Sequence, residues 1–246
     1  MKNFCAAFLL AFTGLSCQLI AQHPVDERGN PVPPSDNILI ELQVVAIPEA
    51  VAFPLVNDLK EEGKAEAAYQ QIQKLLMEGT GKLIGWPNVT TRSGQRAVVE
   101  GISEIRFATQ FEGGAASIYL TVPEGQITKE LKEIRGIEMR GVPTSFDTRN
   151  IGVTLEVEPV CLDGRTIDLN LVPQHVRLKS MNKVTLESGT TKEKMVVEQP
   201  EFDVKRIVTS LKVKSGERKL LGVFKTSEFP DHLELFILKA EVKKVE

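Results

Sequence analysis

Two alternating runs on either side of Asp163-Gly164 constrain the fold of this chain more than any other feature. Apolar residues recur at every second position in both runs, at Val153, Leu155, Val157, Ile167, Leu169 and Leu171. A period of two predicts strands with one buried face, and an Asp-Gly pair between two such strands predicts a tight β-hairpin. The chain is therefore expected to be built around an antiparallel sheet.

Other segments carry the same signal. Alternation predicts strands over 38–46, 95–99, 105–111, 116–122, 205–213, 218–224 and 233–243. Helical spacing of apolar residues predicts one helix over 58–77, ended by Gly79 and Gly81, and residues 123–146 stay ambiguous. The predicted fold class is α+β and mainly β, an antiparallel sheet or sandwich with one main helix near the N-terminus.

The N-terminus has the pattern of an export signal. Lys2 precedes a short apolar run, which predicts a signal peptide over 1–21. A second interpretation treats residues 14–17 as a lipoprotein box with Cys17 as the acylated residue. Residues 22–37 are rich in Pro and charge, which predicts a linker before one domain over 38–246.

Charge and chemistry exclude several classes of protein. Thirty Lys and Arg against 33 Asp and Glu give a net charge of -3, which disfavours a nucleic-acid binder. After the predicted signal only Cys161 remains, and His23, His175 and His232 are isolated, so no metal site is expected. No nucleophile motif or phosphate-binding loop occurs. We therefore predict a non-enzymatic protein without a cofactor.

Seven motifs, in order, carry a family resemblance. They are the strand 40–45, the segment Pro87–Thr91 with Gly94–Ala97 and Glu100-Gly101, the strand Ile151–Pro159, the turn and strand Asp163–Leu169, Phe202 with Arg206–Ser210, Gly216 with Leu220–Gly222, and the strand Leu233–Ile237. Together this order resembles the C-terminal domain of bacterial secretins of type II and III secretion and type IV pilus systems. The resemblance covers roughly residues 38–243.

The resemblance implies specific structural roles. Gly101, Gly152, Pro159, Gly164 and Gly222 are structural or gate candidates, with an ordinary bulge as the alternative for Gly101 and Gly152. Residues 112–150 would map onto the inner gate region. Residues 173–199 would be the membrane hairpin of a barrel shared between subunits, although their many charges also fit a polar surface hairpin.

Two departures from the family pattern leave two functions open. The tandem N-terminal periplasmic domains are not expected here, and 225–232 replaces a Pro-, Leu- and Gly-rich signature. The first hypothesis is a homo-oligomeric outer-membrane component of protein secretion or pilus assembly, with secretion-system or cell-envelope partners. The second is a soluble or lipid-anchored periplasmic scaffold without channel activity. Both imply an exported protein in the periplasm or outer membrane of a diderm bacterium.

Overall fold

The computed structural model of the chain describes residues 36–61, 63–112, 139–140, 142–187 and 194–243. These ranges hold two helices, α1 (Glu49–Lys60) and α2 (Ala65–Met77). The strands are β1 (Asn37–Pro48), β2 (Lys82–Gly85), β3 (Asn88–Arg92), β4 (Ala97–Glu112), β5 (Met139–Arg140), β6 (Val142–Cys161), β7 (Thr166–Glu187), β8 (Lys194–Arg206), β9 (Thr209–Lys214), β10 (Arg218–Lys225) and β11 (His232–Lys243). The mainly β prediction is confirmed.

The first sheet is centred on β1. Its order is β10-β11-β1-β2, and β3 pairs with β1 beyond β2 on the same side. All of these pairs are antiparallel, and the β1–β11 register runs from Asn37 opposite Lys243 to Pro48 opposite His232. Ile38, Ile40 and Leu42 are fully buried on one face of β1, as their alternation predicts.

A layer of two helices covers the other face of this sheet. Apolar residues of α1 recur with helical spacing and pack with α2 against β1 and β11: Ala52, Leu55, Val56 and Leu59. The prediction of a single helix over 58–77 is therefore wrong in extent. Pro54 lies inside α1 and disfavours a helix locally, because it has no N–H to donate and its ring crowds the preceding turn. A break around Gly63, with φ +87°, separates α1 from α2.

The second sheet has the order β4-β6-β7-β8-β5, with β9 paired to β7. Its pairs are antiparallel except for the two-residue parallel contact between β5 and β8. The predicted hairpin at Asp163-Gly164 joins β6 to β7. The two predicted strands at 95–99 and 105–111 form one strand, β4, and residues 142–146 of the ambiguous segment belong to β6.

The two sheets pack face to face around one apolar core. From the first sheet this core contains Ile38, Ile40, Leu42, Phe236 and Leu238, and from the second Val153, Leu155, Val157, Ile167 and Leu169. The hairpin that the sequence predicts supplies six of the fourteen described residues buried in this core, the five second-sheet residues just named and Leu171, as expected for a sandwich. The described part of the 36–246 unit has three layers: the helices, the first sheet and the second sheet.

Some predictions lie outside the described residues. They are the signal peptide over 1–21, almost all of the 22–37 linker with Cys17 before it, the strand over 116–122, and the part of the ambiguous segment before Met139. These stay predictions, as does the domain boundary at residue 38.

Candidate functional site

The second sheet divides where pairing between β6 and β7 ends. The last pair is Gly152 with Val176; beyond it, β6 pairs only with β4, and β7 only with β8. Two hairpin arms result. The β4–β6 arm comprises residues 102–112 and 142–151, and the β7–β8 arm comprises residues 177–187 and 194–203. We call the point where they part the fork, and it is the candidate functional site.

Two glycines form the root of the β4–β6 arm. Gly152 has φ +123°, a conformation that side chains rarely adopt, and it lies across the strands from Ile102 and beside Gly101. A Cβ atom at Gly152 would lie 2.2 Å from the carbonyl oxygen of Gly101, whereas one at Gly101 would meet only the Val153 oxygen at 3.8 Å. The bend of β6 at the fork therefore requires glycine at position 152.

A third glycine brings the first sheet onto this root. Gly85, at the end of β2, lies against the side chain of Val153, and a Cβ atom there would be 2.6 Å from a Val153 methyl carbon. Val153 belongs to the core between the sheets. The close approach of β2 to β6 thus fixes the fork directly above the core.

The two arms contact each other beyond the fork. The rings of Phe107 on β4 and Phe202 on β8 have centroids 5.8 Å apart and are tilted by 54°. Within the β4–β6 arm, the guanidinium of Arg106 lies 4.4 Å from the centre of the Phe146 ring. Aromatic contacts of this kind are stabilising at such distances, so the arms face each other as two layers.

The β7–β8 arm, together with its root at residues 175–176 and 204–205, has two unlike faces. From the strand register, one face carries polar side chains, namely His175, Arg177, Ser180, Asn182, Lys205, Asp203, Glu201 and Gln199. The opposite face is apolar at Val176, Leu178, Met181, Val204, Phe202 and Pro200, and becomes charged at Lys183 and Glu198. The strands of the predicted 173–199 hairpin therefore pair with each other over the described residues, with Arg177 on the polar face and Lys183 and Glu198 on the opposite face.

A buried charge network fixes the root of the β7–β8 arm. Glu234 on β11 is fully buried; its Oε1 lies 2.8 Å from Nδ1 of His175, and its Oε2 lies 3.2 Å from Nζ of Lys205. The Lys205 ammonium donates a hydrogen bond to Asp203 at 2.9 Å. Glu234 Oε2 has this ammonium as an ion-pair neighbour but accepts no hydrogen bond from the described residues. Glu234 thereby joins β11 to both strands of the arm.

The network continues into the segment before β11. Ser227 donates a hydrogen bond to Asp203 at 2.6 Å, and Arg177 donates one to Ser227 at 2.6 Å. Arg177 also lies 3.6 Å from Glu228. Partial burial acts to raise the pKa of Asp203, but the hydrogen bonds from Ser227 and Lys205 and the charges of Lys205 and Arg177 outweigh it and lower the pKa.

A cavity of about 590 Å³ occupies the fork. Its walls include the two root glycines, His175 and Arg177 of the network, Lys82 to Ile84 of β2, and Phe229. The imidazole of His175 is held at Nδ1 by Glu234, and the ring lines the cavity. The cavity therefore lies between the two arm roots and the edge of the first sheet.

The structure separates the residues that the sequence singled out. Gly101 and Gly152 meet at the fork. Pro159 and Gly164 lie at the other end of the second sheet, where Gly94 donates a hydrogen bond to the Pro159 carbonyl at 2.7 Å and Gly164 has φ +73° in the β6–β7 turn. Gly222 lies in β10 at a shift of register. The roles of these residues as gate elements stay predictions.

Sequence analysis missed the charge network. His175 was counted as isolated because its partners Glu234 and Lys205 lie 59 and 30 positions away in the chain. One signal was available: Glu234 interrupts an otherwise apolar strand from Leu233 to Leu238, and a buried carboxylate needs a partner. No pattern along the chain identifies which cation supplies it.

Two features are absent from the described residues. No group of three or more His, Cys, Asp or Glu side chains within these ranges is arranged to hold a metal ion. None of the helices in the same ranges has the length and apolar character needed to cross a membrane.

Comparison with known families gives one match. The model of the secretin family, described as bacterial type II and III secretion system protein, matches residues 75–228, more than half of the chain. This range includes the whole fork and both arms. A comparison with curated proteins gives no match.

Several solved secretin structures are similar to the chain. The Salmonella SPI-1 type III secretion injectisome secretin InvG is 10% identical over 86% of this chain and 66% of its own, with a TM-score of 0.44. The type II secretion system secretin GspD of E. coli K12 is 11% identical over 86% and 51%, with a TM-score of 0.43. The V. cholerae type IV competence pilus secretin PilQ is 12% identical over 90% and 69%, with a TM-score of 0.41. The chain thus spans less than two thirds of the first of these.

Proposed function

This chain belongs to the secretin family of bacterial type II and III secretion system proteins, and we propose that it acts as a homo-oligomeric component of a secretion or pilus system. In this proposal copies of the chain associate through the edges of the second sheet at the outer membrane of a diderm bacterium. Its partners are further copies of itself and other cell-envelope proteins. It carries out no catalysis.

The observation that carries this proposal is the pair of unpaired strand edges. Within the described residues β4 pairs only with β6 over its 16 residues, and β8 pairs with β7 and, at two positions, with β5. Long strand edges expose backbone donors and acceptors that can pair with another chain. An edge of this length is therefore a natural site of self-association.

Strand direction makes the two edges compatible. Every neighbour along β4-β6-β7-β8 is antiparallel, so β4 and β8 run in opposite directions. Placing β4 of one copy beside β8 of another would therefore continue the sheet as an antiparallel sheet, with four strands from each copy. Repetition of the same step around a ring removes every edge, which is the solution that barrels use.

The arms add an energetic reason for association. Each arm beyond the fork is a two-stranded ribbon, and an isolated two-stranded ribbon is at best marginally stable in water. On the same apolar face, the β7–β8 arm exposes Met181 and its root exposes Val204. Neighbouring copies would supply the missing strands and would also bury these exposed side chains.

An alternative is a monomeric periplasmic scaffold, either soluble or lipid-anchored through Cys17. The observation in its favour is the pair of charges Lys183 and Glu198, which share the apolar side of the β7–β8 arm. Charges on a lipid-facing strand surface are costly, most of all near the middle of the bilayer. A scaffold would leave the same side in water.

Sizing the full chain in detergent and in plain buffer by light scattering separates the two functions. We expect a detergent-resistant particle many times the 27.2 kDa mass of one chain. A monomer under both conditions would contradict self-association and favour the scaffold. Fractionation of expressing cells then tests the outer-membrane location.

Two adjacent proline variants test the β4 edge. Ser103 and Glu104 are both exposed, and successive N–H groups of an edge strand point alternately at the paired neighbour and outward. We expect Ser103→Pro and Glu104→Pro to have different effects. The variant that removes an N–H bonded to β6 should lower the stability of the monomer. The variant that removes an outward N–H should keep the stability of the monomer and abolish the oligomer. If neither variant changes the oligomer, the β4 edge is not the interface.

A further inference from the structure

β8 and β9 together form one edge of the second sheet. Both strands pair with β7 in the same register, and at the junction between them the Ile207 N–H bonds to the Pro173 carbonyl oxygen at 3.0 Å. Val208, the next residue, lies by this register opposite Val172 of β7. The edge of the sheet that lies farthest from β4 therefore continues from β8 into β9 without a change of register.

The strand ladders relate this edge to β4. Directly opposed residues form rows across the sheet from β4 through β6 and β7 to β8 and β9. Three rows connect exposed or half-buried residues of the two edges: Val98 with Val208, Glu100 with Arg206, and Ile102 with Val204. Each of these residues on β4 thus lies at the same level as one residue on the far edge.

Backbone hydrogen-bonding groups agree at these levels. Residues of an antiparallel strand direct their N–H and C=O groups alternately to one side and to the other. Because Ile207 directs its N–H to β7, Arg206 and Val208 direct theirs outward. The same alternation, carried across β7 and β6 to β4, directs the N–H groups of Val98 and Glu100 outward as well. Two copies can therefore bond edge to edge with their rows level.

The side chains on the outer face are complementary at these levels. Val98 and Val208 are 53% and 71% exposed, which is unusual for two apolar residues at the same level. Glu100 and Arg206 are exposed and carry opposite charges, and within the part of the chain that the structure describes neither has an ion-pair partner. The third level is apolar on both edges. Each edge therefore presents the residue types that the other edge can pair with.

The inner face of the sheet matches in the same way. Val99 on β4 and Ile207 at the β8–β9 junction are half-buried and pack against the core between the two sheets. Their row lies between the row of Val98 and the row of Glu100. With the rows of two copies level, Val99 of one copy would lie beside Ile207 of the next, which would join their cores.

We infer that copies of the chain associate with the rows of the second sheet level, so that Glu100 of one copy pairs with Arg206 of the next. This inference rests on the proposed function, because it specifies the contact through which copies would associate. In the same contact Val98 lies opposite Val208, and both exposed valine side chains become buried. Opposite charges that face each other across two strands stabilise the pairing of those strands.

Other registers match less well. The outward N–H groups allow shifts only in steps of two residues. A shift of two residues in either direction places the Glu100 carboxylate opposite a valine. A shift of four residues in one direction brings Glu104 opposite Arg206, but it leaves Val98 opposite Lys212. The same shift in the other direction places two arginines opposite each other, which is destabilising.

Charge exchange in the full chain tests the level register. Glu100→Arg and Arg206→Glu each place like charges opposite each other at every contact between copies, so each should lower the association constant by about tenfold. The double variant exchanges the two charges and should restore association. Light scattering over a dilution series measures it. The matched control combines Glu104→Arg with Arg206→Glu and should not restore association.

Cysteine cross-linking identifies the contact by a second route. Directly opposed residues of antiparallel neighbours have Cα atoms about 4.5–5.5 Å apart, a separation that a disulfide can span. Under oxidising conditions, Val98→Cys combined with Val208→Cys should give a ladder of covalently linked copies. Ile102→Cys combined with Val208→Cys, which a shift of four residues would bring together, should not. Each single variant is the control for links through the native cysteines.

The results separate the register from the proposed function. If the wild-type chain forms oligomers but exchange of Glu100 and Arg206 does not restore association, the level register is wrong and self-association stands. Cross-linking of the Ile102 and Val208 pair in place of the Val98 and Val208 pair would overturn the level register in the same way. A wild-type chain that stays a monomer in detergent and in buffer would overturn both the register and the proposed function.

Discussion

The carbonyl oxygen of Gly101 occupies the space that a side chain at Gly152 would need, 2.2 Å from the position of its Cβ atom. These two residues face each other where β4 and β6 leave the body of the second sheet. The geometry is asymmetric, because only Gly152 combines the close contact with a positive φ. The resemblance to secretins singled out both glycines, but the structure gives them different requirements.

Gly152→Ala should therefore be much more harmful than Gly101→Ala. The strained φ and the backbone clash predict a loss on the order of 3 kcal/mol for Gly152→Ala, against about 1 kcal/mol or less for Gly101→Ala. Chemical denaturation of both variants measures the difference. Equal losses would show that backbone movement relieves the contact at Gly152.

Lys205→Met should destabilise the fold by about 3–5 kcal/mol, because it leaves Glu234 buried without its ammonium partner. The double variant Lys205→Met with Glu234→Leu removes both charges and should recover much of this loss. A double-mutant cycle from denaturation curves gives the coupling. If the losses in unfolding free energy of the two single variants simply add in the double variant, the 3.2 Å ion pair contributes little to stability.

Asp203 should contribute stability that disappears in acid. Its pKa is lowered in the folded chain by Ser227, Lys205 and Arg177 against the opposing effect of burial. The contribution is therefore fully present above the unfolded-state value near pH 4, and is lost as the pH falls through the folded-state value. Asp203→Asn should flatten this acid limb of the stability curve, and Ser227→Ala should flatten it less. An unchanged acid limb in Asp203→Asn would contradict the assignment.

Contact between Phe107 and Phe202 should couple the two arms. Replacing either ring by Leu keeps apolar volume but removes the aromatic pair, whose expected worth is about 0.5–1.5 kcal/mol. A double-mutant cycle of Phe107→Leu and Phe202→Leu measures the coupling free energy between the two rings. The same cycle on Phe224 and Phe236, whose ring centroids lie 5.5 Å apart in the core, serves as the control. Zero coupling at the arms beside clear coupling in the core would mean that the arms move independently.

Strands whose burial alternates were predictable from the sequence. The β6–β7 hairpin and β1 were found because one face of each strand lies on the core, so the pattern records burial directly. The fold class followed from these elements. The order of motifs also led to the correct family.

Other features depend on contacts that no local pattern records. α1 was missed because Pro54 argues against a helix locally, while its packing on β1 and β11 stabilises the helix in the folded chain. The two candidate segments of β4 are one continuous strand because β6 pairs with both. The network around Glu234 joins residues that are far apart in sequence, so only the folded chain reveals it.

The pairing of Asn37 with Lys243 places both ends of the described domain side by side. Ser93 links this end to Cys161, since its N–H bonds to the Asp36 carbonyl at 3.2 Å and its hydroxyl accepts from the Cys161 N–H at 2.9 Å. The fork lies farther along β6, at Gly152 in the middle of the strand. A short peptide could therefore close the domain into a circle, and new termini could be opened at another surface turn. Affinity tags or fluorophores attached near either end would be located away from the arms.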